Sequence, residues 1–263
     1  MRRRGMAGTE SGAPNNIRTA ATIRALARMA PLDLRRLARD ELLSWMAVLP
    51  LAVAPVLRLA APGLVGALSH LGLDAGSWLE PLGAVAFAVI TPVLIGTVVG
   101  FMLLADKEDG TWRAVAVTPV SLRGYLVWRA GLAVGLAGPL ALLGLRVGGL
   151  NDLGWGAGAG LALAGAPLAG ATAMAIAVFT DSTIQAVTAI KLGFVLLVLP
   201  AFVMGRGGPW SLLTAVVPSW WPLRAHAAIL DGQIWQPWAA GAVAISAALA
   251  AACLCRTACA DAG

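Results

Sequence analysis

The most polar stretch of the chain, DKEDGTWRAVAVTPVSLRGY at residues 106–125, lies between two long apolar runs. Its charges come from Asp106, Lys107, Glu108, Asp109, Arg113 and Arg123. These residue types suit a capped turn that meets another protein. Thr111, after Gly110, can act as an N-cap by accepting from a free N–H of the following turn. Asp106, Glu108 and Asp109 then lie near the positive end of the helix dipole. The spacing predicts a helix over residues 112–117, roughly 10 Å long. Pro119 ends it, because Thr118 before it is pushed out of helical geometry. After Val120, Ser121 can cap the next helix. A tight turn needs only a few residues, and this segment is expected to expose Trp112 and several Val beside its charges. Such a surface fits a groove on a partner.

Other chemistries find little support. A phosphate-binding loop needs Gly-Lys-Ser/Thr, yet the only lysines, Lys107 and Lys191, read DKE and IKL. ATP is therefore not expected to bind through that motif. Ion-driven carriers usually need an ionisable group at mid-membrane, and none of the 13 acidic residues is expected there. His70 and His226 fall in expected outer loops, far apart in sequence, and read as surface histidines rather than metal ligands. Cys253, Cys255 and Cys259 lack the paired spacing of a structural zinc site. No metal site, no Ser/His/Asp order with local support and no basic–aromatic pattern for nucleic acid is recognised. The chain is not expected to be an enzyme.

The elements that position the polar stretch follow from composition. Of 263 residues, 59% are hydrophobic and 12% charged, half the charge of a soluble domain. Residues Pro81 to Ala105, Leu153 to Thr180 and Gly232 to Cys255 carry no charge, and each is long enough as a helix to cross a hydrocarbon core of roughly 30 Å. Six spans are expected near 43–62, 81–104, 125–146, 154–179, 187–204 and 237–255, in an all-α polytopic membrane protein. Lys191 falls within the opening of the fifth. Only Arg58, Arg146, Arg206 and Arg224 lie on one side of this scheme, and all other basic residues lie on the opposite side. That side is read as cytoplasmic, with both termini inside. Arginine far exceeds lysine and Ala and Gly abound, which suggests a GC-rich bacterial source and hence a bacterial inner (plasma) membrane.

Before the spans, residues 1–16 read as a disordered cytosolic tail and 17–41 as an amphipathic helix that can lie on anionic membrane lipid, with Arg24, Arg28, Arg35 and Arg39 on one face. Residues 42–263 form the transmembrane domain. Within it, 106–121 is the inner polar segment. Residues 205–236 are too short and Pro-interrupted to span, and are expected to dip into the outer leaflet as two short helices flanking Pro218 and Pro222. Pro50, Pro55, Pro92, Pro139, Pro167 and Pro200 lie inside five spans and invite kinks. Gly96/Gly100, Gly131/Gly135 and Gly156/Gly160 fit the small-xxx-small packing pattern.

KEDGTWRAVAVTPVSLRGYLVWR resembles the signature loop of the type-2 (ABC-2-like) family of ATP-binding-cassette transporter permeases. In that loop acidic residues precede Gly-Thr, a short apolar helix and Thr/Ser-Pro-Val-Ser. Asp109 or Glu108, Gly110, Thr111, Thr118, Pro119, Val120 and Ser121 match, and Trp112 stands where Leu is common. The likeness extends to the six spans and to the broken outer segment. PSWWPLRAHAAI is similar to the branch containing antibiotic and drug-export permeases. The resemblance implies the membrane half of an exporter for a hydrophobic or amphipathic substrate. A separate ABC ATPase subunit would dock on residues 106–121. A second permease copy or paralogue would complete the path. ATP and Mg would sit on the ATPase, with no cofactor on this chain. Glu108 and Asp109 would meet basic partner residues, Trp112 and Val115 would anchor in a groove, and Pro218, Trp220, Trp221 and Pro222 would form an outer gate. A channel or scaffold uncoupled from ATP is the alternative reading.

Overall fold

The computed structural model describes residues 41–70, 72, 76–116, 121–150, 153–204 and 213–260, together with Arg35 and Arg39. Among the described residues every regular element is helical. Six helices are long and apolar enough to cross a membrane: Leu43–His70, Pro81–Glu108, Leu122–Gly148, Trp155–Phe179, Thr183–Met204 and Gln236–Thr257. The tail 1–16 and nearly all of the expected amphipathic helix 17–41 lie outside the described residues.

The second and fourth spans form the core of the bundle and make its most extensive helix pair. Glycine permits their close approach. A Cβ at Gly96 would collide with the carbonyl oxygen of Ala169, and one at Gly100 would meet Ile176 at 2.8 Å. The sixth span packs on the fourth, and the third packs on the first, second and fourth. The fifth span is peripheral, with most of its side chains on the outside of the bundle.

Both core helices are irregular where they cross. The second span contains a π-helical turn at Val85–Ile90, and Thr91 Oγ1 donates to the carbonyl of Ala86 there at 3.0 Å. The fourth is interrupted at Ala166, between Trp155–Gly165 and Pro167–Phe179. Gly165 lies against the backbone of Ala88, leaving no room for a side chain. The Pro167 ring removes one backbone donor, which accounts for the break.

Several boundaries differ from the expectations. The first helix runs unbroken over Glu41–His70 through Pro50, Pro55 and Pro62, since neighbouring groups can re-satisfy backbone freed by proline in spanning helices. The second span continues to Glu108, so Asp106, Lys107 and Glu108 belong to its last turn and not to a loop. The fifth helix starts at Thr183, which places Lys191 about 12 Å along its axis. In the segment expected at the outer face, Thr214–Val216 is a 3-10 turn and Trp220–Leu230 an α-helix. Pro222 lies in the first turn of that helix, where an N–H is unpaired anyway.

Candidate functional site

The loop between spans two and three begins where Asp109 N–H donates to the carbonyl of Ala105 at 2.8 Å. Gly110 has φ of +74°, a backbone shape that costs other L-residues steric energy. Its carbonyl accepts from Arg113 N at 3.0 Å and Ala114 N at 3.3 Å, opening the short helix Thr111–Ala116. Gly110, not Thr111, is therefore the N-cap, and Thr111 is the first helical residue. Ser121 caps the third span, its Oγ accepting from Gly124 N at 3.1 Å. Thr118, Pro119 and Val120 lie outside the described residues.

Trp112 and Val115 were expected to face outward. Instead both pack against the buried core formed by residues such as Leu103, Leu126 and Met174. Partial burial of these two apolar side chains under a six-residue helix removes apolar surface from water. The outward surface consists of Glu108, Asp109, Arg113, Ala114 and Ser121, all exposed.

Behind this surface lies a polar junction that sequence reasoning missed. Asp106 is buried, and Asp106 Oδ2 accepts from Tyr125 Oη at 2.6 Å and from Arg129 Nη2 at 3.0 Å. Arg129 Nε donates to Tyr125 Oη at 3.1 Å, which closes the triangle. Helical spacing puts Tyr125 and Arg129 one turn apart on the same face. Lys107, the next residue, points the other way. Its Nζ donates to Asp181 Oδ1 at 2.7 Å and to the carbonyls of Thr180 at 3.0 Å and Ala177 at 3.4 Å. These carbonyls end the fourth span, where a cation is favoured by unpaired acceptors and the helix dipole. The Lys107 ammonium holds the Asp181 carboxyl below its ordinary range, through a hydrogen bond and then charge. Lys107 also lies 5.6 Å from the centroid of Trp112. Two adjacent residues thus tie the end of the second span to the third span on one side and the fourth on the other.

At the opposite end of the bundle, Trp220, Trp221 and Trp238 form an aromatic cluster. Trp220 meets Trp221 edge-on at 5.3 Å and Trp238 at 5.7 Å. Trp221 sits over Gly241 of the sixth span, in space a side chain would fill. Its Nε1 donates to the carbonyl of Ala215 at 3.0 Å. Ser219 Oγ donates to the carbonyl of Leu197 in the fifth span at 2.6 Å. Pro222 is buried, and Pro218 is half-buried. These residues join spans five and six. His226, expected at the surface, is buried in the helix Trp220–Leu230 at 3% exposure. Burial pushes its imidazole down to about 4.

Two relatives are named fluoroquinolones export permease protein, MT2760 and Rv2686c, from Mycobacterium tuberculosis strains CDC 1551 / Oshkosh and ATCC 25618 / H37Rv. Each is 26% identical over 236 residues, covering 86% of this chain and 91% of the relative. No solved structure matches the chain. A family model described as fluoroquinolones export permease protein Rv2686c-like matches residues 33–254. Six apolar helices and that match identify a multi-pass membrane protein, and the chain belongs to the Rv2686c-like family of export permeases.

Proposed function

We propose that this chain is the permease subunit of an ATP-driven drug exporter, with a separate ABC ATPase docking on the segment 106–121 at the cytoplasmic face. The observation that carries the reading is the construction of that segment. A short helix is held to the bundle by Trp112 and Val115, while Glu108, Asp109 and Arg113 face outward. Behind it, Asp106 and Lys107 connect its base to three spans. A push on the helix then reaches the spans through short, directional contacts instead of being lost in a loose loop. Discrete interface shifts of this kind are how small local movements become movements of whole helices.

In this reading ATP and Mg are held by the ATPase, both termini are cytoplasmic, and a second permease copy or paralogue completes the path. The names of the relatives support a fluoroquinolone-like drug as cargo. Pro218, Trp220, Trp221 and Pro222 would form the outer gate, since their cluster joins the outer ends of spans five and six. The test is charge reversal at Glu108 and Asp109, or a bulky insertion between Glu108 and Thr111. The altered chain should still insert in the membrane but lose both co-purification with its ATPase and export. Unchanged ATPase binding would refute the docking site.

A further inference from the structure

Two cavities flank one buried hydroxyl in the second span. The larger is an open groove of about 480 Å³, between Leu43 and Met46 of the first span, Phe101 and Met102 of the second, and Val187 and Lys191 of the fifth. The smaller, about 270 Å³, lies between spans two, four and five. Thr97 and Ile190 line both. The combined space is of the size that holds a drug-like molecule. Thr97 is 1% exposed, and its Oγ1 has no hydrogen-bond partner among the described residues. A buried hydroxyl without a partner carries a desolvation cost that a bound polar group can remove.

Lys191, exposed on the fifth span, is the second polar group at the groove. It lies two helical turns inside the fifth span and has no hydrogen-bond or ion-pair partner among the described residues. A cation at that depth is costly. Snorkelling would explain an ammonium reaching toward the headgroups from a lipid-facing position. It would not explain why the side chain borders a groove with aromatic and thioether walls. Lys107, the other lysine, is fully engaged with Asp181 and two carbonyls. Among the described residues that line the groove, Lys191 is the cation placed to meet a ligand.

We infer that this groove binds an amphipathic organic acid of drug size, its carboxylate paired with Lys191 and its apolar body seated against Phe101, Met46 and Met102. Thr97 supplies a deeper polar contact. Lys191 then acts as a specificity residue that favours acidic over neutral amphipaths. The inference rests on the export reading for its choice of probe, but its test needs no ATPase.

The full chain, purified in detergent and in nanodiscs of zwitterionic lipid, is titrated with norfloxacin and with its methyl ester, and bound drug is read by fluorescence anisotropy. The wild type should prefer the acid. Lys191→Met, which keeps the length and apolar stem, should weaken acid binding by about tenfold or more and leave the ester nearly unaffected. Lys191→Arg should keep most of the preference. Thr97→Val should weaken both ligands alike. An acid-to-ester ratio that is unchanged in Lys191→Met would overturn the assignment, as would failure of the wild type to bind either compound. Competition by anionic phospholipid for the Lys191-dependent site, with no drug binding, would give the groove to lipid and also overturn it. Loss of binding without loss of ATPase-dependent export in cells would remove this site and leave the proposed function standing. Intact binding with no ATPase association would do the reverse.

Discussion

The junction behind the short helix Thr111–Ala116 makes a quantitative prediction. Arg129 and Asp106 are 4% and 5% exposed at their side chains and 3.0 Å apart. That sets them apart from surface pairs, which contribute about 0–1 kcal/mol. Removing one member of a buried pair leaves a charge without compensation and costs about 3–5 kcal/mol. Asp106→Asn should fall toward the lower end, because the amide keeps an acceptor for Tyr125. Arg129→Met, which takes the Nη2 donor away from the carboxylate, should cost about as much. Tyr125→Phe deletes one hydrogen bond to a charged group, worth about 1.5–3 kcal/mol. The double variant Asp106→Asn/Arg129→Met buries no charge and should be markedly more stable than the sum of the single losses predicts. Residues in one network commonly couple by about 0.5–3 kcal/mol, and this pair should fall in the upper half of that range. The assay is reversible unfolding of the purified chain in mixed micelles, read by circular dichroism across the four members of the cycle. Single losses below about 1 kcal/mol, or additive ones, would show that the junction does not bind the spans together.

Three further outcomes follow from the geometry. Gly96→Val should destabilise the bundle by about 1–3 kcal/mol or more through overpacking against Ala169, whereas Gly131→Ala, where a side chain would meet nothing within 4 Å, should gain about 0.5–1 kcal/mol. The same unfolding assay checks both. Gly110→Ala, forced to φ of +74°, should lose about 1–2 kcal/mol and, under the proposed docking, weaken ATPase co-purification, while the surface change Arg113→Ala should alter only the second. His226 should make stability depend on pH. Its folded value of about 4 lies below the ordinary 6.5, so the unfolded chain binds more protons between the two, and stability falls as pH drops through that window by a total of about 3 kcal/mol. Thermal melts of wild type and His226→Gln between pH 7 and 4 should diverge, with the variant flatter. Parallel curves would remove His226 as the cause.

How much was legible in the sequence varies with the kind of information involved. The six spans were legible because crossing a bilayer requires a run of apolar residues, and that is a property of one segment alone. The cap at Ser121 was legible because its hydrogen bond reaches only three residues ahead. Which face of a helix turns inward was not. In a soluble protein an apolar stripe marks the buried side, but here lipid and core are both apolar and the stripe vanishes. Gly96/Gly100 and Gly131/Gly135 look alike in sequence. Only packing shows that the first pair meets the fourth span and the second meets open space. The same limit hid the inward turn of Trp112 and the burial of His226.

Charge followed a similar rule. Composition and spacing determined that this chain spans a membrane six times, that its polar segment lies between spans two and three, and that no ATP-binding loop of the Gly-Lys-Ser/Thr kind is present. The tertiary structure decided what the charges do. Asp106 and Lys107 are adjacent in sequence, yet one is sealed against Arg129 and Tyr125 and the other caps the fourth span. Lys191 reads as part of the fifth span's opening turn, and the early start of that helix carries it two turns in, to the rim of a groove. Hydropathy is summed along the chain, whereas pairing and cavities depend on side chains from distant segments meeting in space.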